Sequence, residues 1–334
     1  MHRYESLASL PALPGPVHLA IGMFDGVHLG HQKVIGGAVC AARQTGGSAA
    51  VLTFSPHPSR IFRPDAPVLQ ILSAKEKDAH LDALGAEYVI HEPFTPVFAT
   101  LDAPAFLALL RQAIPNLAGI HIGESFRFGH DRTGNAAWLA RQGQPLGLDV
   151  FSAPNVTADG IPVSSSRIRQ LLASGDITGA NSLLGYRYQS SGVVIGGRAL
   201  GRTIGFPTLN LRWAPELLPH FGVYAVRARI GNTAEDWVPG VANYGLRPTV
   251  ENTDVRPLLE VHLLAGAKIA AGTGPGQALC VEWLHFLRPE KKFSGLDALR
   301  EQIAIDVRQA REMESLFAIS SEKENKVRAV LQVD

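Results

Sequence analysis

Cysteine is nearly absent from this 334-residue chain. Cys40 and Cys280 stand far apart, so no disulfide framework holds the fold, and a reducing compartment is expected. An excess of charge is missing as well. With 31 lysines and arginines against 30 aspartates and glutamates, the formal net charge is +1, which argues against a broad nucleic-acid surface. Long apolar runs are the third absence. Met1-His2-Arg3-Tyr4-Glu5 leads into Pro11, Pro14 and Pro16 without the apolar core of a signal peptide, and no later run is long or apolar enough to span a bilayer. A cytoplasmic protein with neither membrane nor nucleic-acid partner is the expectation; self-association is left open.

What the chain does have is a glycine-punctuated junction near its start. The β-rich run Val17-His18-Leu19-Ala20-Ile21 stops at Gly22 and Gly26, and a helix is expected to open near His28. Glycines let a backbone approach a phosphate closely, and a helix N-terminus offers unpaired amides. His28 and His31, spaced as HxGH, would project from the first turn to one side and donate hydrogen bonds to a phosphate whose charge grows in the transition state. Half of a metal site, although no cysteine lies nearby to complete one, or simply polar residues at a helix start are the competing readings. A second phosphate signal lies downstream in Val163-Ser164-Ser165-Ser166-Arg167-Ile168-Arg169, hydroxyls and guanidinium groups at a helix start. An ordinary serine N-cap with solvent arginines would look the same.

The chain is long for one core, and its texture changes near residue 185. Before that point strand-like and helical runs alternate: 49–54, a helix over 73–84, 88–91, a helix over 106–112, 120–123, and a short linking helix over 177–184. Alternation of this kind predicts a parallel sheet with helices on both faces and ligands beyond the carboxyl ends of the strands. His57, in a loop that Pro56 and Pro58 stiffen, is a candidate for that rim or a plain surface histidine. After residue 185, strands expected over 189–195, 223–230, 237–243, 258–264 and 279–287 suggest an antiparallel barrel. An amphipathic helix over 296–313 follows, with Leu299, Ile303, Val307 and Ala310 on one face, read as core packing rather than a partner interface.

This half carries a second constellation. Gly192, Gly196, Gly197, Gly201 and Gly205 surround Arg198 and Arg202, and the segment ends in Phe206-Pro207-Thr208-Leu209-Asn210. Such a loop can fold over polyphosphate, and Thr208 and Asn210, two apart on a strand, would present neutral oxygens to magnesium from one face. It is neither a Walker loop nor a dinucleotide fingerprint, and glycines in a barrel also mark bends.

Taken together, the motifs resemble the bifunctional riboflavin kinase/FMN adenylyltransferases, whose N-terminal half belongs to the HxGH nucleotidyltransferases. The resemblance covers almost the whole chain. It rests on residues 22–32, on Thr53-Phe54-Ser55-Pro56-His57-Pro58, on Gly123-Glu124-Ser125-Phe126-Arg127-Phe128-Gly129 and on Ser164 to Arg169. In the second half it rests on the GFPTxN sequence 205–210, on residues 240–249, on Leu259-Glu260-Val261-His262-Leu263 and on Arg288-Pro289-Glu290-Lys291-Lys292-Phe293.

The resemblance implies a Rossmann-like nucleotidyltransferase domain over residues 1–185 and a six-stranded antiparallel kinase barrel with a terminal helix over 186–334. It implies ATP-dependent phosphorylation of riboflavin to FMN, then adenylylation of FMN to FAD with release of pyrophosphate, magnesium serving both steps. His28, His31 and Arg169 would serve adenylyl transfer, and Glu260 would be the kinase base. ATP would lie against Gly22, Phe24, Asp25, Gly30, Ser164 and Ser165 in one half, and against Gly192, Arg198, Gly201, Arg202, Gly205 and Pro207 in the other. Flavin would meet His57, Ser125, Phe126, Arg127 and Phe128, and in the kinase half Asn243, Arg247, Arg288 and Glu290; Thr208 and Asn210 would hold the metal.

Two departures stand out. Ser125 occupies a position where the family more often has aspartate or asparagine, and after Leu263 a glycine- and alanine-rich stretch replaces the usual acidic and aromatic one. A weakened flavin grip with a working kinase is expected, because Thr208, Asn210 and Glu260 remain. A nucleotidyltransferase for another acceptor would not need the barrel, and a flavin carrier would not need both histidines and Glu260.

Overall fold

The computed structural model describes residues 1–197, 200–231, 237–247, 256–264 and 274–331. They form two compact units, Met1–Ile168 and Arg169–Asp334.

In the first unit the elements run β1 (His2–Tyr4), β2 (Val17–Ile21), α1 (Leu29–Thr45), β3 (Ser48–Ser55), α2 (Ser59–Phe62), α3 (Ala74–Ala83), β4 (Tyr88–Pro93), α4 (Ala103–Ala113) and β5 (Leu117–Gly123). The hairpin β6 (Arg127–Phe128) and β7 (Gly134–Asn135) follows, then α5 (Ala136–Gly143), β8 (Asp149–Ala153) and the pair β9 (Thr157–Ala158) and β10 (Ile161–Pro162). Six strands pair in the order β1-β4-β3-β2-β5-β8, all parallel. The chain proceeds one way from β2 through β3 to β4 and the other way through β5 to β8, which makes the carboxyl end of β2 the switch point where such sheets bind ligands. Leu19, Ile21, Leu52, Ile90 and Ile120 from the strands and Phe106 and Leu110 from α4 form its core. Strand β2 is buried along its whole length, which is why its sequence does not alternate.

The division between the units falls inside α6 (Ser165–Ser174). Then come α7 (Ile177–Leu184), β11 (Gln189–Ile195), α8 (Leu200–Thr203), β12 (Leu209–Arg212), β13 (Gly222–Ile230), β14 (Val238–Arg247), β15 (Arg256–Leu263), β16 (Ala278–Arg288) and α9 (Leu296–Leu331). The six strands close into an antiparallel barrel in the order β11-β12-β15-β14-β13-β16. Tyr188, Trp213, Tyr224, Tyr244 and Trp283 fill it as an aromatic cluster with ring centroids 4.6 to 6.2 Å apart. Each ring buries a large apolar area, so these five side chains supply much of the barrel's core.

The Rossmann-like and barrel architecture read from the sequence is the observed one. Differences lie at the element ends. Thr208 precedes β12 rather than lying in it, and α9 runs on to Leu331, well beyond the expected residue 313. The apolar stripe of α9 is core packing over its second half, where Ala310 is buried and Val307 packs with it against Val223, Ala225, Val241 and Leu284; half-buried Leu299 and Ile303 line a cavity instead.

Candidate active sites

At the carboxyl end of β2 the backbone makes a tight loop in which Phe24 and Val27 both take positive φ, 49° and 35°. For a β-branched residue such as Val27 that conformation is strained, and strain of this kind persists where the surroundings impose it. The surroundings here are visible. Asp25 Oδ1 accepts the Ile71 backbone N–H at 2.9 Å, the Asp25 carbonyl accepts the Ser165 hydroxyl at 2.9 Å, and Gln32 Nε2 donates to the Val27 carbonyl at 2.9 Å. Under the loop, buried Lys77 donates from Nζ to Thr53 Oγ1 at 3.1 Å and to the Met23 carbonyl at 3.4 Å.

His28 is the N-cap of α1, not its first-turn residue: its backbone is extended and its Nδ1 accepts the His31 N–H at 3.4 Å. That bond leaves Nε2 to carry the proton of the neutral ring. The His28 and His31 rings stack at 3.6 Å and 17°, and Phe24 meets His31 edge-on at 5.4 Å. A Cβ on Gly30 would come within 3.2 Å of the His28 ring, so the glycine between the histidines gives the ring its place. Two imidazolium charges at the 3.6 Å ring separation would repel by about 5 kcal/mol at an effective dielectric near 20, so the pair cannot carry two protons together. Burial first, then the neighbouring His28 and the Lys77 ammonium, hold His31 well below the usual histidine range. Its Nδ1 is buried without a hydrogen-bond partner among the described residues. Ser164 caps α6, its hydroxyl oxygen accepting the Arg167 N–H at 3.3 Å, while the Arg167 guanidinium donates to the Ala158 and Ile161 carbonyls. The serine N-cap reading is therefore realised, and Arg169 follows on the same helix.

Beyond the ends of β3 and β4 lies a cavity of about 630 Å³ lined by Phe54, Phe62, Phe94, Phe98, Phe106, Phe126 and Phe128. His57, Arg63, Arg127, His130 and Arg132 supply its polar rim. His57 Nδ1 accepts from both the hydroxyl and the backbone N–H of Ser59, at 2.8 and 3.1 Å, with Ser59 Oγ in turn accepting the Val68 N–H. His57, Phe126, Arg127 and Phe128 are thus gathered as expected, whereas Ser125 is not among the lining residues. Sequence reasoning missed Phe62, Phe94, Phe98 and Arg132. Phe62 ends α2 while Phe94 and Phe98 follow β4, so these phenylalanines share no periodicity and no local signal gathers them.

In the barrel unit two cavities adjoin. One, of about 570 Å³, is lined by Gly196, Gly197, Arg202, Gly205, Pro207 and the end of β15; the other, of about 290 Å³, by Gly201, Asn243, Glu260, Arg288, Glu290, Phe293 and the α9 residues Leu299 and Ile303. Phe206, Thr208, Asn210 and His262 belong to both. Asn210 is buried, its Oδ1 has no hydrogen-bond partner among the described residues, and Gly197 approaches so closely that a Cβ there would lie 1.8 Å from Asn210 Nδ2. A buried amide oxygen beside the Thr208 hydroxyl suits a hard cation such as magnesium. Among the described residues no cluster of three histidine, cysteine or carboxylate ligands exists for a softer metal.

The remaining expected residues divide. Gly192 sits in the barrel wall opposite Leu279 and lines neither cavity, its closeness to Leu211 being a packing demand. Arg288 lines the smaller cavity but is engaged bidentately by Asp306, at 2.9 and 2.8 Å, and Asn243 Nδ2 donates to Glu290 at 3.3 Å. Arg198, the Arg247 side chain and residues 265–273 of the segment after Leu263 lie outside the described residues. Asp306 and His262 were not foreseen as site residues.

The FAD synthetase family model matches residues 11–167 and the riboflavin kinase family model residues 184–314. A bifunctional riboflavin kinase/FMN adenylyltransferase of Escherichia coli (strain K12) is 37% identical over 294 residues, 88% of this chain and 91% of its own. The chain belongs to that family. A Bacillus subtilis (strain 168) protein of the same description is 37% identical over 299 residues, covering 87% of this chain and 90% of its own. A crystal structure described as a macrolide-efflux protein from Streptococcus pneumoniae superposes with a TM-score of 0.81 at 29% identity, over 92% of this chain and 98% of that one. No helix of the described residues is long and apolar enough to cross a membrane. As a member of the family the chain is a riboflavin kinase and an FMN adenylyltransferase, using ATP to convert riboflavin to FMN and FMN to FAD.

Proposed function

We propose that residues 1–185 carry FMN adenylylation in the cytoplasm, with the HxGH pair on the transferring phosphate, and that residues 186–334 carry the kinase, with Glu260 as its base. The observation that carries the kinase assignment is the wall shared by its two cavities, because it sets a glycine-lined space and a Glu260-lined space on either side of Thr208 and Asn210.

In the kinase reading ATP occupies the glycine-lined cavity against Gly197, Arg202, Gly205 and Pro207, with Gly201 lining the adjoining one. Riboflavin occupies the other, against Asn243, Arg288 and Glu290. Thr208 and Asn210 would hold magnesium, whose chemistry there would be to shield the charge of the triphosphate. Glu260 takes the proton of the ribityl 5′-hydroxyl as its oxygen bonds to that phosphorus, and ADP leaves; a positioned base contributes roughly 10²–10⁴-fold.

In the adenylyl reading the FMN phosphate attacks the α-phosphorus of ATP and pyrophosphate departs. The nucleophile is already anionic, so the protein's part is positioning and charge stabilisation rather than proton removal. His28 and His31 donate to the transferring phosphate; Gly22, Phe24, Asp25 and Gly30 shape its cradle. Ser164, Ser165 and Arg169 bind the rest of the triphosphate. The aromatic cavity beside His57 takes the isoalloxazine ring, with Arg127 at its rim and Ser125 on the adjoining turn.

Chromatography of riboflavin, FMN and FAD tests both halves together. Wild-type protein with riboflavin, ATP and magnesium should yield FMN and then FAD. Glu260→Gln should yield FAD only from supplied FMN, and His31→Ala should stop at FMN. Near-normal phosphorylation by Glu260→Gln would remove Glu260 as the base.

A further inference from the structure

The ladder between β12 and β15 ends at the pair Leu209 and Val261, after Asn210 and Glu260. Thr208 therefore lies one residue past the last backbone pairing, although it and Asn210 form the wall shared by both cavities. Pro207 cannot extend the ladder, because proline has no N–H to donate. Its carbonyl is nevertheless held: it lies 2.9 Å from Nδ1 of His262, and since a carbonyl only accepts, the imidazole must donate. The His262 ring is seated edge-on against Phe206 at 5.3 Å and 79°. His262 stands two residues beyond Glu260 on β15, so both side chains leave the same face of the strand, and both line the smaller cavity.

We infer that His262 is a positioning residue of the kinase reaction: its Nδ1–H···O=C bond to Pro207 replaces the missing rung of the ladder and fixes Thr208 in register with Asn210 and Glu260. This rests on the roles proposed above for Thr208, Asn210 and Glu260. The bond also sets the tautomer, leaving Nε2 without a proton in the neutral ring. Two attachments then hold residues 207–210 to the strand that bears the base, the backbone rungs at Leu209 and Asn210 and the imidazole at Pro207. A turn tied by the rungs alone would let the Thr208 hydroxyl drift from the site while the barrel stayed closed.

Two variants separate this from a packing role. His262→Phe keeps a ring against Phe206 without a donor, and His262→Asn replaces the donor with an amide N–H at a similar reach while removing the ring. In the full-length protein, His262→Phe should lower riboflavin kinase kcat and raise the magnesium concentration for half-maximal rate, each by about tenfold, as expected when one neutral hydrogen bond is lost. FMN adenylylation by the same sample should be unchanged, which reports that the chain is folded. His262→Asn should recover most of the kcat and the magnesium dependence. A readout independent of turnover is the long-range ¹H–¹⁵N spectrum of histidine-labelled protein, where the resonances lost in His262→Asn should show an Nδ1–H tautomer. An Nε2–H tautomer, or His262→Phe with wild-type kcat and magnesium dependence, would overturn the inference. If His262→Phe is impaired and His262→Asn equally so, ring packing is the explanation and the inference fails. Glu260→Gln is measured alongside: its retention of kinase turnover would remove the underlying reading, whereas its loss beside a fully active His262→Phe would remove this inference alone.

Discussion

Asn210 and Glu260 face each other across the antiparallel pair β12 and β15, and Asn243 faces Glu260 from β14 on the other side. Three strands thus bring an amide oxygen without a partner among the described residues, a carboxylate and a second amide into one line, which no spacing in the sequence displays. The arrangement couples the proposed metal ligand to the proposed base through backbone hydrogen bonds rather than through flexible side chains.

Asn210→Ala should therefore leave the barrel folded while raising the magnesium requirement of riboflavin phosphorylation and lowering its rate by at least tenfold. The amide oxygen has no partner to lose among the described residues, so the cost to stability should stay within about 1 kcal/mol. Kinase rate against magnesium concentration, with urea unfolding as the companion, checks both parts.

Lys77 contributes to the depressed pKa of His31 from beneath the loop, after burial and His28. Its positive charge adds to burial and to His28 in lowering the pKa of His31, so Lys77→Met should raise that pKa toward the ordinary histidine value. The neutral ring is the form that stacks on His28 and donates from one nitrogen, so protonation should inhibit. The acid limb of kcat/KM for FMN adenylylation should move to higher pH in Lys77→Met, while the kinase profile stays where it is. An unmoved acid limb would mean that His31 does not set it.

Phe94 meets Phe54, Phe62 and Phe98 at ring-centroid distances of 6.1, 5.9 and 5.6 Å in the cavity proposed for the flavin ring. Phe94→Ala should weaken FMN binding by about tenfold, the worth of one aromatic contact plus the apolar area lost. Quenching of flavin fluorescence measures this directly, and riboflavin phosphorylation by the same protein should be unaffected.

A directional chain of hydrogen bonds lies under α1, away from both sites. His121 Nε2 is 3.4 Å from His18 Nδ1, His18 Nε2 is 3.1 Å from Thr45 Oγ1, and the Thr45 hydroxyl donates to the Ala41 carbonyl. Because Thr45 spends its proton on a carbonyl, its oxygen accepts from His18 Nε2, and His18 Nδ1 in turn accepts from His121 Nε2, so the His18 ring must be neutral. Burial, and secondarily His18, lowers the His121 pKa from 6.5 to about 4. The unfolded chain then binds the extra proton first, so stability is complete above about pH 6.5 and declines as pH falls toward 4, by roughly 3 kcal/mol at most. His121→Phe, whose ring can keep the stacking on Phe151, should flatten that decline in urea unfolding measured from pH 7 to 4.

Local chemistry made much of this protein legible from its residues. Strand β2, the stop at Gly22, the helix opening beside His28 and the capped helix α7 follow from apolar runs and punctuating residues that act within a few positions, and the strand periods announced the change from parallel sheet to barrel. Family motifs then located Glu260, Thr208 and Asn210. Tertiary structure decided what depends on partners distant in sequence: the phenylalanines of one cavity, the pairing of Asn210 with Glu260, the capture of Arg288 by Asp306 and of Pro207 by His262. Periodicity states which face a residue takes, because that is fixed by local backbone geometry. Which neighbour it meets there depends on strand order and closure of the barrel, and those emerge only when the whole chain has packed.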